Sequence, residues 1–305
     1  MDSSFNGFIA PPPTPMAEDG GLRPEVIETQ AAALVANGVA GAFVCGTTGE
    51  GVSLTVDERM QVARRWREVA PEGLRLIIHV GALALPDAQA LAGHAADIGA
   101  DAVAALPPLY FKPAGVDDLL AWLAQIASAA KGLPLFYYHM PDFTGVGLPL
   151  NELLAAAEKR LPALAGAKFT YEDLCELRLC LQVGGGRYEL FYGRDQMLLA
   201  ALATGARGAI GSTYNFAAPL YRRLVDAWAR GDLDAARADQ TRSAEMIAVL
   251  RRRGGLAAIK AVMKMVGVDC GPVRAPLRQP AAEQIDALAA ELEGIGFFDY
   301  CSKRP

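Results

Sequence analysis

No stretch of this chain runs apolar for the ~18 residues that a membrane-spanning helix needs. No basic block is present either. The 29 Lys and Arg are interspersed with 34 Asp and Glu, for a formal net charge of -5, which argues against a nucleic-acid surface. Histidine is scarce, with three residues at 79, 94 and 139 that are isolated from one another, so no catalytic triad order is visible and each reads as structural. The five cysteines include no CxxC pair and no Cys/His ligand spacing, which makes a metal site improbable. Cys175 and Cys180, five apart on a helix, face different directions. Reduced thiols in a cytoplasm are the simplest reading. The opening MDSSFNGFIAPPP lacks the basic and apolar regions of a secretory leader. GGG at 184–186 lacks the Lys and Ser/Thr of a phosphate-binding loop and reads as a plain loop. Asp97 and Asp101 read as solvent-facing or capping residues.

What is present is apolar material in a regular rhythm. The chain has 305 residues, 52% of them apolar, enough for one large α/β domain. Short apolar runs predict strands near 7–15 and at 41–46, 74–81, 101–108, 133–140, 164–170, 188–193 and 206–212. Between them lie segments with helical spacing, such as 23–38, which has Pro24 near its start and Gly38 just past its end. The strands are apolar on both faces, as in a parallel sheet covered by helices. Eight such units predict a (β/α)8 TIM barrel over residues 7–215, with a doubly wound sheet as the competing arrangement. From 216 to 305 the pattern is helical only and predicts an extension packed on the barrel, within a single domain spanning 1–305.

In such a barrel, function resides where strands end. Lys168 ends the apolar strand LAGAKFT, and Thr170 shares its face. An ammonium buried without a partner is costly, and a neutral amine attacks ketones to form a Schiff base; alternatively, the stem crosses the rim and the head reaches water. Tyr137 and Tyr138 point to opposite faces, so one of them can address the barrel centre and relay protons, and periodicity leaves open which. Both could equally be core aromatics. Gly46-Thr47-Thr48-Gly49-Glu50 offers hydroxyls and exposed amides suited to a carboxylate at a helix N-terminus, although Thr/Gly turns often only cap helices.

Taken in order and spacing, GTTGEG, YYHMPDFTGV, GAKFT, YGRDQ and GSTYN resemble the N-acetylneuraminate lyase subgroup of the dihydrodipicolinate synthase superfamily, from about residue 7 to the C-terminal helices. The resemblance implies that Lys168 forms a Schiff base with the ketone of pyruvate or of a 2-oxo acid sugar. It implies that Tyr138 shuttles the proton at the hydroxyl beside the breaking bond, and that Thr47 and Thr48 hold the substrate carboxylate. Tyr110 matches a tyrosine that reaches a neighbouring subunit's site, and the assembly implied is a homotetramer. Thr170, Gly193, Asp195 and Ser212 match sugar-chain contacts. Phe143 stands where the synthases carry an arginine, against an amino-acid semialdehyde substrate. Gln196 departs from the Gly-x-Asp-Glu of the lyases, which puts recognition of the sugar tail in question. The reaction implied is a retro-aldol cleavage of N-acetylneuraminate to N-acetylmannosamine and pyruvate, without metal or organic cofactor. Two other readings compete: another pyruvate-dependent aldolase acting on a different 2-keto-3-deoxy acid, and a barrel that binds a keto acid without turning it over.

Overall fold

The computed structural model describes residues 7–302. Residues 1–6, part of the segment judged for a secretory leader, and 303–305 lie outside them. In chain order the elements are β1 (Phe8–Ala10), α1 (Val26–Ala36), β2 (Gly41–Val44), α2 (Val56–Val69), β3 (Arg75–His79), α3 (Leu85–Asp97), β4 (Ala102–Ala105) and α4 (Val116–Ala129). They continue with β5 (Leu135–His139), α5 (Pro141–Thr144), α6 (Leu150–Arg160), β6 (Leu164–Phe169), α7 (Leu174–Cys180), β7 (Glu189–Tyr192), α8 (Leu198–Thr204) and β8 (Gly208–Ile210). Helices α9 (Tyr214–Ala229), α10 (Leu233–Arg252), α11 (Leu256–Met265), α12 (Ala282–Gly294) and α13 (Phe297–Tyr300) complete the chain.

The eight strands are parallel and closed, β1 pairing with both β2 and β8, so the barrel is formed and the doubly wound alternative is excluded. Most strands are shorter than their apolar runs. The first was expected to reach residue 15 but stops at Ala10, because Pro11, Pro12 and Pro13 have no N–H to give to a ladder. The helix after β8 begins at Tyr214 and runs across the expected barrel boundary at 215; Pro219 lies inside it, with a break from helical geometry at Ala217.

Alternation along the strands sorts the side chains into two apolar clusters. Ile9, Phe43, Ile77, Phe136, Phe191 and Ile210 point inward and fill the barrel. Val44, Leu76, Ile78, Tyr137, Phe169 and Tyr192 point outward and pack beneath the helices. At the lower, N-terminal end, Arg75 of β3 reaches across to Glu189 of β7 in a two-pronged pair, both contacts 3.0 Å. The Arg75 guanidinium lies 5.5 Å from the Phe136 ring centre and 5.7 Å from that of Phe191. A planar cation between two aromatic rings, paired with a carboxylate, closes the floor. The C-terminal helices fold back: α10 packs on α9, and α11 and α12 pack on α10.

Candidate active site

The open end of the barrel gathers the residues that the sequence singled out. Lys168 on β6 is in register with Tyr138 on β5 and Phe191 on β7, and Tyr138 and Phe191 are interior residues. Its side chain therefore points inward, and Lys168 is 4% exposed. Its Nζ lies 4.2 Å from the Tyr138 ring centre and 4.4 Å from that of Phe43. Among the described residues it enters no ion pair. Two aromatic rings thus lie against the amine.

Tyr138 is the tyrosine that faces the axis. Its hydroxyl is 3.2 Å from Thr47 Oγ1. Tyr137 lies in the outer cluster, its hydroxyl is buried without a partner, and burial raises its pKa, followed by the nearby Glu176. His79 stacks edge-on to Tyr138, with ring centres 5.9 Å apart. Burial first, then the charges of Arg59 and Lys168, push its pKa well below the usual imidazole range. The Leu106 amide donates to Nε2 at 3.4 Å, which assigns the ring proton to Nδ1, 3.1 Å from the Cys45 carbonyl. His79 is a neutral brace beside the site. His94, paired with Arg64 on the surface, and His139, stacked on Phe169 in the outer layer, lie elsewhere.

The Thr47–Thr48 turn follows β2, but it does not open a helix as expected. A short 3-10 turn at Gly51–Ser53 intervenes, and α2 starts at Val56 under its own cap, Thr55, in a reciprocal bond with Glu58. No helix dipole therefore bears on these threonines. Among the described residues neither the Thr47 nor the Thr48 amide donates to a backbone carbonyl, so both remain available. Thr48 Oγ1 is 2.6 Å from Ser212 Oγ, which joins the end of β2 to that of β8.

Asp195, 5% exposed, accepts from the Thr213 amide at 3.0 Å and from its hydroxyl at 2.6 Å, both at Oδ2, while Oδ1 has no partner. Burial raises its pKa, and the Thr213 hydrogen bonds and the charge of Lys168 oppose that rise. Ser243 and Gln240 of α10 donate to its backbone carbonyl, each at 3.2 Å. Thr170 Oγ1 is buried without a partner, and a Cβ on Gly193 would stand 2.0 Å from it. A Cβ on Gly211 would stand 1.6 Å from Asp195 Oδ1. Only glycine fits at either position.

Gln196 is half-buried beside Arg194, which pairs with Asp142 of α5 at the rim. Tyr110 is not brought to this site: it is 79% exposed, packed edge-on to Phe111 beside a cleft that Leu83 and Trp122 also line. Sequence reasoning missed Phe43, which reads as an ordinary strand aromatic, and Thr213, which lies inside the quoted GSTYN but carried no separate signal. Among the described residues, no group of three or more His, Cys, Asp or Glu is placed to hold a metal ion, and no helix is long and apolar enough to cross a membrane.

A buried amine against a phenol, ringed by hydroxyls at the mouth of a closed barrel, has the parts for imine chemistry on a small oxygenated acid. Comparison with known proteins agrees in extent and detail. The N-acetylneuraminate lyase of Rattus norvegicus is 39% identical, covering 97% of this chain and 94% of its own. That of Gallus gallus is 41% identical, covering 95% and 96%. The solved Proteus mirabilis N-acetylneuraminate lyase superposes with a TM-score of 0.94 at 40% identity, over 96% of this chain and 99% of that one. The profile of the dihydrodipicolinate synthetase family matches residues 4–295, and the chain belongs to that family.

Proposed function

We propose that this chain is an N-acetylneuraminate lyase, a Schiff-base-forming class I aldolase that cleaves N-acetylneuraminate reversibly to N-acetylmannosamine and pyruvate. The observation that carries the reading is the Lys168 amine, buried in the barrel and 4.2 Å from the centre of the Tyr138 ring. Near-full-length likeness to lyases of that name supports the choice of substrate.

In this reading the Lys168 amine adds to the substrate ketone, and loss of water gives an iminium. Thr47 and Thr48 hold the neighbouring carboxylate with their hydroxyls and free amides. Tyr138 relays the proton from the hydroxyl beside the scissile bond. The bonding pair of that carbon–carbon bond flows into the iminium, the aldehyde departs, and an enamine remains on Lys168. Protonation of the enamine carbon and addition of water return the amine and release pyruvate. Thr170, Gly193, Asp195, Gln196 and Ser212 line the path of the sugar chain.

Incubation with N-acetylneuraminate, assayed for pyruvate beside other 2-keto-3-deoxy acids, tests the reading. A preference for one of the others would move the substrate assignment to the neutral Gln196 and the Arg194–Asp142 pair at the rim. No pyruvate from any of them would leave only a binding role.

We further propose that copies of the chain associate through the face carrying Tyr110, forming a homotetramer in the cytoplasm. Tyr110, Phe111 and Leu83, 79%, 85% and 62% exposed, make an apolar patch there. The five cysteines are all free, which suits a reducing compartment. Sedimentation of the protein, with Phe111→Glu as the disrupting variant, tests the assembly.

A further inference from the structure

The loop that carries Thr47 and Thr48 is held from behind by groups of helix α11 and of the segment that follows it. Two of its residues, Cys45 and Glu50, have φ of 57° and 54° without being glycine, in a region that such side chains rarely occupy. The Glu50 amide closes the turn on the Thr47 carbonyl at 3.0 Å. The Glu50 side chain points away from the barrel axis into a dry environment, where Oε1 lies 2.7 Å from Lys260 Nζ of α11, their side chains 1% and 2% exposed. Oε2 accepts from the Arg274 amide at 2.8 Å. Lys260 also donates to the Pro272 carbonyl at 2.6 Å. The Arg274 guanidinium holds the Ser53 and Gly20 carbonyls and both oxygens of Glu58. Thr14 Oγ1 fixes the Gly49 carbonyl at 2.6 Å.

A buried ion pair is a poor device for stability alone, because desolvating two charges offsets most of their attraction. It is a good device for fixing geometry. The outer side of this turn is anchored by Glu50, and its inner side leaves Thr47 against Tyr138 and Thr48 against Ser212. Four residues, Thr47 to Glu50, therefore connect a buried charge behind the barrel wall to two hydroxyls inside it. We infer that Glu50, with Lys260 as its counter-ion, is a positioning residue for the substrate carboxylate, so that helix α11 sets the affinity of a site it does not touch. The inference rests on the reading of Thr47 and Thr48 as the carboxylate site.

The test uses the whole chain and two small ketones, pyruvate and acetone, which differ in the carboxylate. Borohydride trapping on Lys168 gives the half-saturating concentration of each. The main variant is Glu50→Gln with Lys260→Met, which removes both buried charges together and so leaves neither unpaired. Glu50→Gln alone is the second variant, and Thr48→Val is the control for carboxylate binding. The expected result is a rise of roughly tenfold or more for pyruvate in the charge variants, the scale of a catalytic group displaced by a fraction of an ångström. Acetone stays near its wild-type value, and kcat at saturation falls less than affinity does. Parallel shifts for both ketones would mean general disorder of the barrel mouth and overturn the inference. A loss for pyruvate in Thr48→Val alone, with the charge variants unchanged, would overturn it too while leaving the function standing. If wild type traps no pyruvate, or if Thr48→Val binds it normally, the reading beneath the inference fails first.

Discussion

Tyr138 and Lys168 are register partners on adjacent strands, and the amine lies 4.2 Å from the centre of the phenol ring. Of the two candidate tyrosines, this contact is made by Tyr138, and Tyr137 is on the other side of the sheet. Reduction with borohydride in the presence of pyruvate is expected to add one pyruvyl group, at Lys168. Lys168→Ala should abolish turnover yet fold, because Ala167, Phe169 and the other apolar residues of β6 are untouched. A label on another lysine, located by peptide mass, would displace the assignment.

The paired tyrosines respond oppositely to loss of the hydroxyl. Tyr138→Phe keeps the ring over Lys168 and removes the proton, so turnover should fall by roughly two to four decades. Tyr137→Phe removes a buried hydroxyl that has no hydrogen-bond partner. That variant should keep its turnover and gain stability on the order of 1 kcal/mol, the desolvation cost of an orphan polar group. Steady-state kinetics with thermal melts checks both, and collapse of activity in Tyr137→Phe would reverse the roles.

Gln196 is half-buried on the β7 side of the mouth, next to Asp195, and is neutral. A carboxylate there would accept more strongly from sugar hydroxyls, by on the order of 1 kcal/mol. Gln196→Glu should lower the Michaelis constant for N-acetylneuraminate by about fivefold with turnover little changed, since the tail is remote from the breaking bond. An analogue lacking the glycerol tail should show no such change. Equal effects on both substrates would show that Gln196 does not read the tail.

Glu58 and Arg274 govern part of the acid limb of stability. The paired Arg274 guanidinium, assisted by the Thr55 amide and opposed by partial burial, lowers the Glu58 pKa from 4.5 to about 2. A carboxyl whose pKa is depressed by folding stabilises the folded state above its unfolded pKa, and that contribution is lost as pH falls through the folded one. The pair should therefore support the fold fully above about pH 4.5 and lose its effect towards pH 2. The difference in melting temperature between wild type and Glu58→Gln should be steady near neutrality and shrink across that window. A difference that stays constant down to the lower limit would show that the pair does not titrate as described.

The barrel was legible in the sequence because its strands are apolar on both faces and separated by helix-length segments. Their ends were less so, since a hydrophobic run continues past the last ladder bond, as at Pro11–Pro13. Lys168 stood out as the charge ending an apolar strand, but the sequence left open whether its head was buried or reached water; the inward register with Tyr138 and Phe191 decides for burial. The choice between Tyr137 and Tyr138 could not come from alternation, which fixes that they differ but not which faces inward; register with β6 decides it. The helix N-terminus expected at Thr47–Thr48 failed because the chain inserts a 3-10 turn and a separate Thr55 cap before α2. Glu50 and Lys260 lie 210 positions apart by number, and nothing local marks them as partners.

The Arg75–Glu189 bridge stands at the foot of the barrel, at the end opposite the reacting groups. With Phe136, Phe191 and that bridge filling the lower end, the Lys168 amine faces the end of the barrel that carries Thr47 and Thr48. In the proposed reaction the bond to Lys168 already sends the aldehyde out first and pyruvate second, and a barrel filled at its foot sends both out on the same side. A plug at the end of the barrel where no chemistry takes place thus gives the reaction a single face.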